Sequence, residues 1–235
     1  MVYYQPCCNQ GLFSYSSLTG EQVSYAELEG LWDASESQED MRAPALRAVA
    51  SDEDKATSFG LALHRACQLG FVASEQVAHD QLECIAKTYE VNDVARLRAA
   101  HERWVASAAN KRAKAMSVQL PEYPFTLQFA ETNQALEGVF DLLCFDETHE
   151  NAYVVDYKTG GKAQETPQQL HGKHGLQAMC YAYALLSQGV LQVDMDFVRV
   201  EQNDPAGADS LQTVAFHFDQ GDKQHLQEVI ALRCS

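Results

Sequence analysis

The stretch Tyr153-Val154-Val155-Asp156-Tyr157-Lys158-Thr159-Gly160 decides how the rest of this sequence is read. Its aromatic and β-branched start has the composition of a buried strand. It ends in a carboxylate and an ammonium two residues apart, followed by a Thr-Gly turn signal. Successive strand side chains point to opposite faces, so Asp156 and Lys158 project together and Tyr157 projects to the other side. Upstream, Gly138-Val139-Phe140-Asp141 sets another carboxylate on an apolar segment. If the two segments are hairpin neighbours, Asp141 lies beside Asp156. Alone, Asp141 reads as a strand-end acid and Asp156-x-Lys158 as an edge-strand ion pair. In order on consecutive strands, the two carboxylates form a hard oxygen site suited to Mg²⁺ or Mn²⁺. A nearby ammonium suits a reaction in which negative charge develops on a phosphodiester.

The segments around this stretch predict helices first and strands afterwards. Phe13-Ser14-Tyr15-Ser16-Ser17-Leu18 reads as a turn or cap. Ser24-Tyr25-Ala26-Glu27 resembles a capping box, followed by an apolar pattern to Trp32. Residues 33–55, polar, acidic and broken by Pro44, read as a surface loop. Phe59, Leu63 and Cys67 recur at helical spacing over Thr57–Leu69, with Gly70 as the stop. Helices over 74–90 and 92–114 follow. Val118–Phe129, Ala135–Phe145 and Asn151–Tyr157 read as an antiparallel meander. Gly175–Ser187 reads as a helix ended by Gly189, Val193–Val200 and Thr213–Phe218 as strands, and 221–233 as a last helix. The class is α/β (α+β): an N-terminal helical portion over 1–116 and a β-β-β-α-β core with a terminal strand and helix over 117–235, integrated as one domain.

Composition narrows the classes open to the chain. Its 235 residues suffice for one large domain or two small ones, and 46% hydrophobic content excludes wholesale disorder. No run reaches the roughly 18 apolar residues of a membrane span. The opening Met1–Pro6 lacks the basic start and apolar run of a signal peptide, so a cytoplasmic location is expected. The seven cysteines include no C-x-x-C pair, which gives a zinc or iron–sulfur site no support. A net charge of −16 argues against a domain that coats DNA by charge alone. The exception is Arg96, Arg98, Arg103, Lys111, Arg112 and Lys114, a local basic helix that reads either as a solvated face or as a phosphate-contacting edge.

The joint pattern resembles the RecB-type nuclease domain of the PD-(D/E)xK superfamily. That branch carries G-x-x-D, then D-Y-K-T-G, then Q-x-x-x-Y on a helix. Here these are Gly138…Asp141, Asp156-Tyr157-Lys158-Thr159-Gly160 and Gln177…Tyr181. An upstream F-G-x-x-x-H matches Phe59-Gly60-Leu61-Ala62-Leu63-His64, E-x-P-F matches Glu122-Tyr123-Pro124-Phe125, and the serine-rich opening matches at Phe13–Leu18. The resemblance covers about residues 13–200. It implies a restriction-endonuclease-like core, a mixed central sheet flanked by helices.

By the same resemblance, His64, Asp141, Asp156 and the backbone carbonyl of Tyr157 bind Mg²⁺ or Mn²⁺, and Lys158 is the catalytic lysine. Gln177 and Tyr181, four apart on one helix face, support the site or touch DNA, and Glu122 lies near it. The cysteine group of the cluster-bearing members is missing, so no iron–sulfur cluster is expected. Where the family often has Tyr, three before Gln177, this chain has His174; it and His171 also read as polar cap residues.

The implied activity is a metal-dependent DNase, an exonuclease acting on single-stranded DNA as part of a helicase-nuclease in DNA end processing, recombination and repair. The chain carries no G-x-x-x-x-G-K-[ST] phosphate loop, so the motor would be the helicase portion of the same polypeptide or a partner subunit. Two alternatives stay open: a non-catalytic DNA-binding or scaffold module retaining the fold, and an RNase or repair nuclease outside any helicase.

Overall fold

The strand that opened the sequence reading, β4 (Asn151–Lys158), is buried along nearly its whole length. An uninterrupted apolar strand needs cover on both faces of its sheet, and the computed structural model supplies it. It describes residues 12–14, 53–129, 134–161, 165–205 and 207–234. The elements in chain order are β1 (Leu12–Ser14), α1 (Glu53–Val72), α2 (Glu75–Thr88), α3 (Val94–Ala106), α4 (Ala108–Ala115), β2 (Val118–Phe129), β3 (Gln134–Phe145), β4, α5 (Pro167–Ser187), β5 (Gln192–Asp204), β6 (Gly207–Asp219) and α6 (Lys223–Cys234).

The six strands form one mixed sheet in the order β1-β3-β4-β5-β6, with β2 also paired to β3. β2, β3 and β4 form the expected antiparallel meander. β5 then runs parallel to β4 after the α5 crossover, and β6 returns antiparallel. One face packs Phe140, Leu143, Val154, Met195 and Phe197 against α5 and α6. The other packs Leu142, Tyr153, Val155, Tyr157 and Val198 against α1 to α4, with Trp104 at its centre. No helix among the described residues is long and apolar enough to cross a membrane.

Several boundaries differ from the sequence reading. Leu12–Ser14 is a strand pairing parallel to β3, where a turn or cap was expected. The expected helix at 24–32 and the loop at 33–55 fall outside the described residues up to residue 52; Glu53–Lys55 already belong to α1. Gly70 does not stop α1: it is buried within the helix, against the Glu75 carboxylate. The single helix expected over 92–114 is two, because Ser107 adopts an extended backbone and its hydroxyl caps α4 by accepting from the Asn110 N–H. The helix expected from Gly175 begins at Pro167. Thr166 and Gln169 close a reciprocal capping box there and Pro167 occupies the first turn. Gly172 and Gly175 are buried helical positions within the helix.

Leu186, fully buried between α5 and the sheet, should cost about 2–5 kcal/mol on truncation to Ala. Thr166→Ala should cost about 1 kcal/mol through the lost cap. Both are read as shifts of the urea midpoint at unchanged m-value.

Candidate active site

The ladder between β3 and β4 ends at the pair Leu142–Val155. One residue further, Asp141 and Asp156 face each other across the opening. The Asp141 carboxylate closes the broken ladder by accepting the Tyr157 N–H at 2.8 Å. On the other side of β3, Glu122 lies across from Asp141, between the pairs Pro121–Leu142 and Tyr123–Phe140. Three carboxylates therefore share one rung of three adjacent strands. Glu122 has a left-handed backbone, φ 52, a strained conformation for a residue with a side chain. At this rung the alternation breaks: Phe140 and Leu142, two residues apart, pack on opposite faces of the sheet. The opening thus admits side chains from both layers.

His64 enters from the α1 side. Its Nδ1 lies 3.4 Å from Asp141 and 3.6 Å from Glu122. Its Nε2 lies 3.2 Å from the Tyr157 carbonyl, and its ring meets the Tyr157 ring edge-on. With a proton on Nε2, the carbonyl orients the imidazole, and Nδ1, once deprotonated, would offer its lone pair to an ion held among the carboxylates, the arrangement of an oriented metal ligand. Gly60, one turn before His64, lets α1 approach the end of β4, where a Cβ would sit 3.3 Å from Thr159 Oγ1. Ligand atoms of His64, Glu122 and Asp141 all lie within 4.8 Å of one another.

The electrostatics of this cluster call for a cation. Burial, and then the neighbouring Asp156, push the Asp141 carboxyl up to about 7. Burial alone would lower the His64 imidazole, but Asp141, Glu122 and Asp156 outweigh it and raise it to about 9. Glu122 Oε1 is buried without a hydrogen-bond partner. A divalent ion would satisfy that oxygen and neutralise the crowded carboxylates, so the residues fit one. Oxygen donors with a single imidazole suit Mn²⁺ as well as Mg²⁺.

Asp156, 2% exposed, faces the α5 side with Lys158. The Lys158 ammonium lies 2.6 Å from Asp156 Oδ1 and 2.9 Å from Gln177 Oε1. The Gln177 amide donates to Asp156 Oδ2 at 2.6 Å and to the Tyr181 hydroxyl at 2.8 Å. That hydroxyl donates to the Val139 carbonyl at 2.7 Å. The Q-x-x-x-Y pair thus ties α5 to β3 and β4 and fixes both Asp156 and Lys158. His174 contributes differently from Gln177: it is buried, stacked on Phe197, and held down to about 3 by burial and then by Lys158, so it is a neutral packing residue. His171 packs on Phe216.

His64, Glu122, Asp141, Asp156, Lys158, Gln177 and Tyr181 meet at this opening, but Asp156, expected as a metal ligand, lies outside the His64–Glu122–Asp141 group because its oxygens take Lys158 and Gln177. The left-handed backbone of Glu122 left no trace in the sequence beyond its place before Tyr123-Pro124. Arg96, Lys111, Arg112 and Lys114 are exposed, as a solvated face requires, and three of them also pair within the chain. Arg96 forms a two-pronged ion pair with Glu201 on β5. Arg112 pairs with Asp194 and covers the Tyr153 ring. Lys114 reaches Glu75 and the Gly70 carbonyl. These cations fasten helices to one another and to the sheet.

Residues 36–234 match the PD-(D/E)XK nuclease superfamily. The chain belongs to that superfamily. The matched residues include Asp141 and Asp156-Tyr157-Lys158, at the opening between β3 and β4. Members of the PD-(D/E)XK superfamily are in general phosphodiester hydrolases that use divalent metals, and the mixed sheet between helical layers is their restriction-endonuclease-like core. A search of curated proteins returns no match. Among solved structures, the crystal structure of SSO0001 aligns over 74% of this chain and 74% of its own, at 11% identity and a TM-score of 0.31, a likeness too slight to carry an argument.

Gly138 is tightly packed near the site: a Cβ there would fall 2.5 Å from the Phe125 ring. Gly138→Ala is expected to destabilise the fold by about 1–3 kcal/mol through overpacking, measured by denaturant unfolding.

Proposed function

We propose that this chain is a divalent-metal-dependent DNA nuclease that cuts as an exonuclease. We assign it the role of nuclease domain of a helicase-nuclease in DNA end processing, recombination and repair. The observation that carries the catalytic reading is the meeting of His64, Glu122 and Asp141 within ligand range of one another, with Asp156 across the opening from Asp141 and the Lys158 ammonium on Asp156. His64, Asp141, Asp156 and the Tyr157 carbonyl would hold the ion, as the RecB-like motifs imply, and Glu122 completes the donor set. A bound divalent ion acidifies a water and offsets charge on the phosphoryl oxygens.

The protein's own groups account for the rest of the chemistry. Lys158, held by Asp156 and Gln177, presents an ammonium where negative charge accumulates as the phosphodiester is attacked. Its position costs no reorganisation during reaction, because Gln177 is itself fixed through Tyr181 to the β3 backbone. Neutral His174 and the Phe197 ring beside Lys158 keep that side of the site apolar.

The substrate we assign is single-stranded DNA delivered by a helicase portion of the same polypeptide or by a partner subunit. Two facts support this. The net charge of −16 gives no general attraction to DNA, and Arg96, Arg112 and Lys114 are engaged within the chain.

The test is cleavage of end-labelled single-stranded DNA by the purified chain with Mg²⁺ or Mn²⁺. Asp156→Ala and Lys158→Ala are each expected to lower kcat by about 10²-fold or more, and chelation should abolish cleavage. Glu122→Ala should raise the half-saturating metal concentration by about 10-fold or more. Equal cleavage by wild type and both first variants would sink the nuclease reading. DNA binding without metal-dependent cleavage would favour a scaffold module.

A further inference from the structure

Two residues on β5 grip the turn that follows Lys158, and neither touches the metal-ligand cluster. β4 and β5 pair in parallel register as far as Lys158–Arg199. The chain then enters Thr159-Gly160-Gly161, where both glycines have left-handed backbones, φ 72 and φ 83. With no ladder beyond that pair, the turn is held by side chains. The Gly160 N–H donates to Glu201 Oε2 at 3.0 Å. Arg199 Nη2 reaches the Gly160 carbonyl at 3.5 Å and Glu165, on the far side of the turn, at 2.8 Å. Arg199 also donates through Nη1 to Gln212 on β6. Its guanidinium fills the space beside Gly161, where a Cβ would collide with it.

Two further observations show that this clamp is built into the fold. The β5–β6 register shifts between Arg199 and Asn203; such irregularities re-aim side chains next to active sites, and here the affected stretch contains Glu201. The two-pronged bond from Arg96 holds the Glu201 carboxylate in place and ionised. Arg199 is 2% exposed. A buried ion pair seldom stabilises more than apolar packing of the same volume, so the geometry it imposes accounts for it better than stability does.

We infer that Arg199 and Glu201 are positioning residues for Lys158: they fix the Thr159–Gly161 turn against β5, so that β4 stays straight to its end and the ammonium stays on Asp156 and Gln177. This rests on the nuclease reading above.

The test joins amide hydrogen exchange of Gly160 to cleavage kinetics. In Glu201→Ala, exchange at Gly160 should quicken by about 10-fold or more, as for a lost bond to a charged acceptor. kcat should fall by about 10–100-fold, with the half-saturating metal concentration and the KM for DNA within about twofold of wild type. Glu201→Gln keeps an oxygen for the Gly160 N–H and should recover most of both. Arg112→Ala breaks an ion pair elsewhere on β5 and should lower Tm without changing either readout.

Slow Gly160 exchange in Glu201→Ala, or undiminished kcat with wild type active, overturns the inference and leaves the nuclease reading standing. So does a loss of kcat in Arg112→Ala as large as in Glu201→Ala. Wild type that cleaves no better than Asp156→Ala overturns the nuclease reading and with it the role for Lys158, while Gly160 exchange still reports whether the clamp exists.

Discussion

The site depends on a break in a β-ladder. Continued pairing of β3 and β4 past Leu142–Val155 would zip the backbones around Asp141 and Asp156 together and leave no space between the strands. Instead the Asp141 carboxylate takes the Tyr157 N–H, so the strands part without orphaning that buried donor. The same bond fixes the carboxylate beside His64 and Glu122. Backbone satisfaction and ligand placement are thus one interaction, and the broken alternation at this rung lets α1 and α5 both reach into the opening.

The neighbouring packing serves that opening. α1 brings His64 close through Gly60, while the Tyr157 ring lies between His64 and Trp104. α5 brings Gln177 and Tyr181, whose hydrogen bonds run from Lys158 to the Val139 carbonyl. β5 supplies Arg199 and Glu201 for the turn beyond Lys158. Three elements distant in sequence therefore converge on the end of one strand. The concentration of buried carboxylate that results is unfavourable alone, as the raised Asp141 and His64 show, and it is the condition that favours binding of a divalent ion.

Much of the fold was legible because local signals agreed. The meander was readable from three apolar runs with short polar turns, and Asp156-x-Lys158 from the period of a strand. The errors have local causes. Gly70 reads as a helix stop because glycine costs a helix stability, but at that buried helical position tight packing outweighs propensity. The break at Ser107 was hidden because helical periodicity persists on both sides of it.

The sequence by itself put Asp156 and Lys158 on one strand face and Gln177 and Tyr181 on one helix face, and its resemblance to the RecB-type motifs pointed to Asp141, His64 and Glu122 beside them. Residue type and spacing act over a few residues and reach only the pairings within one strand or one helix. Only the tertiary structure decided where the ladder opens, that Glu122 shares the rung with a strained backbone, that Arg96 and Arg112 pair with β5 and Lys114 with α2, and that Arg199 and Glu201 hold the turn after Lys158. Each of these is a contact between elements far apart in the chain, made where burial forces every charge and backbone donor to find a partner, and no local pattern records which partner it finds.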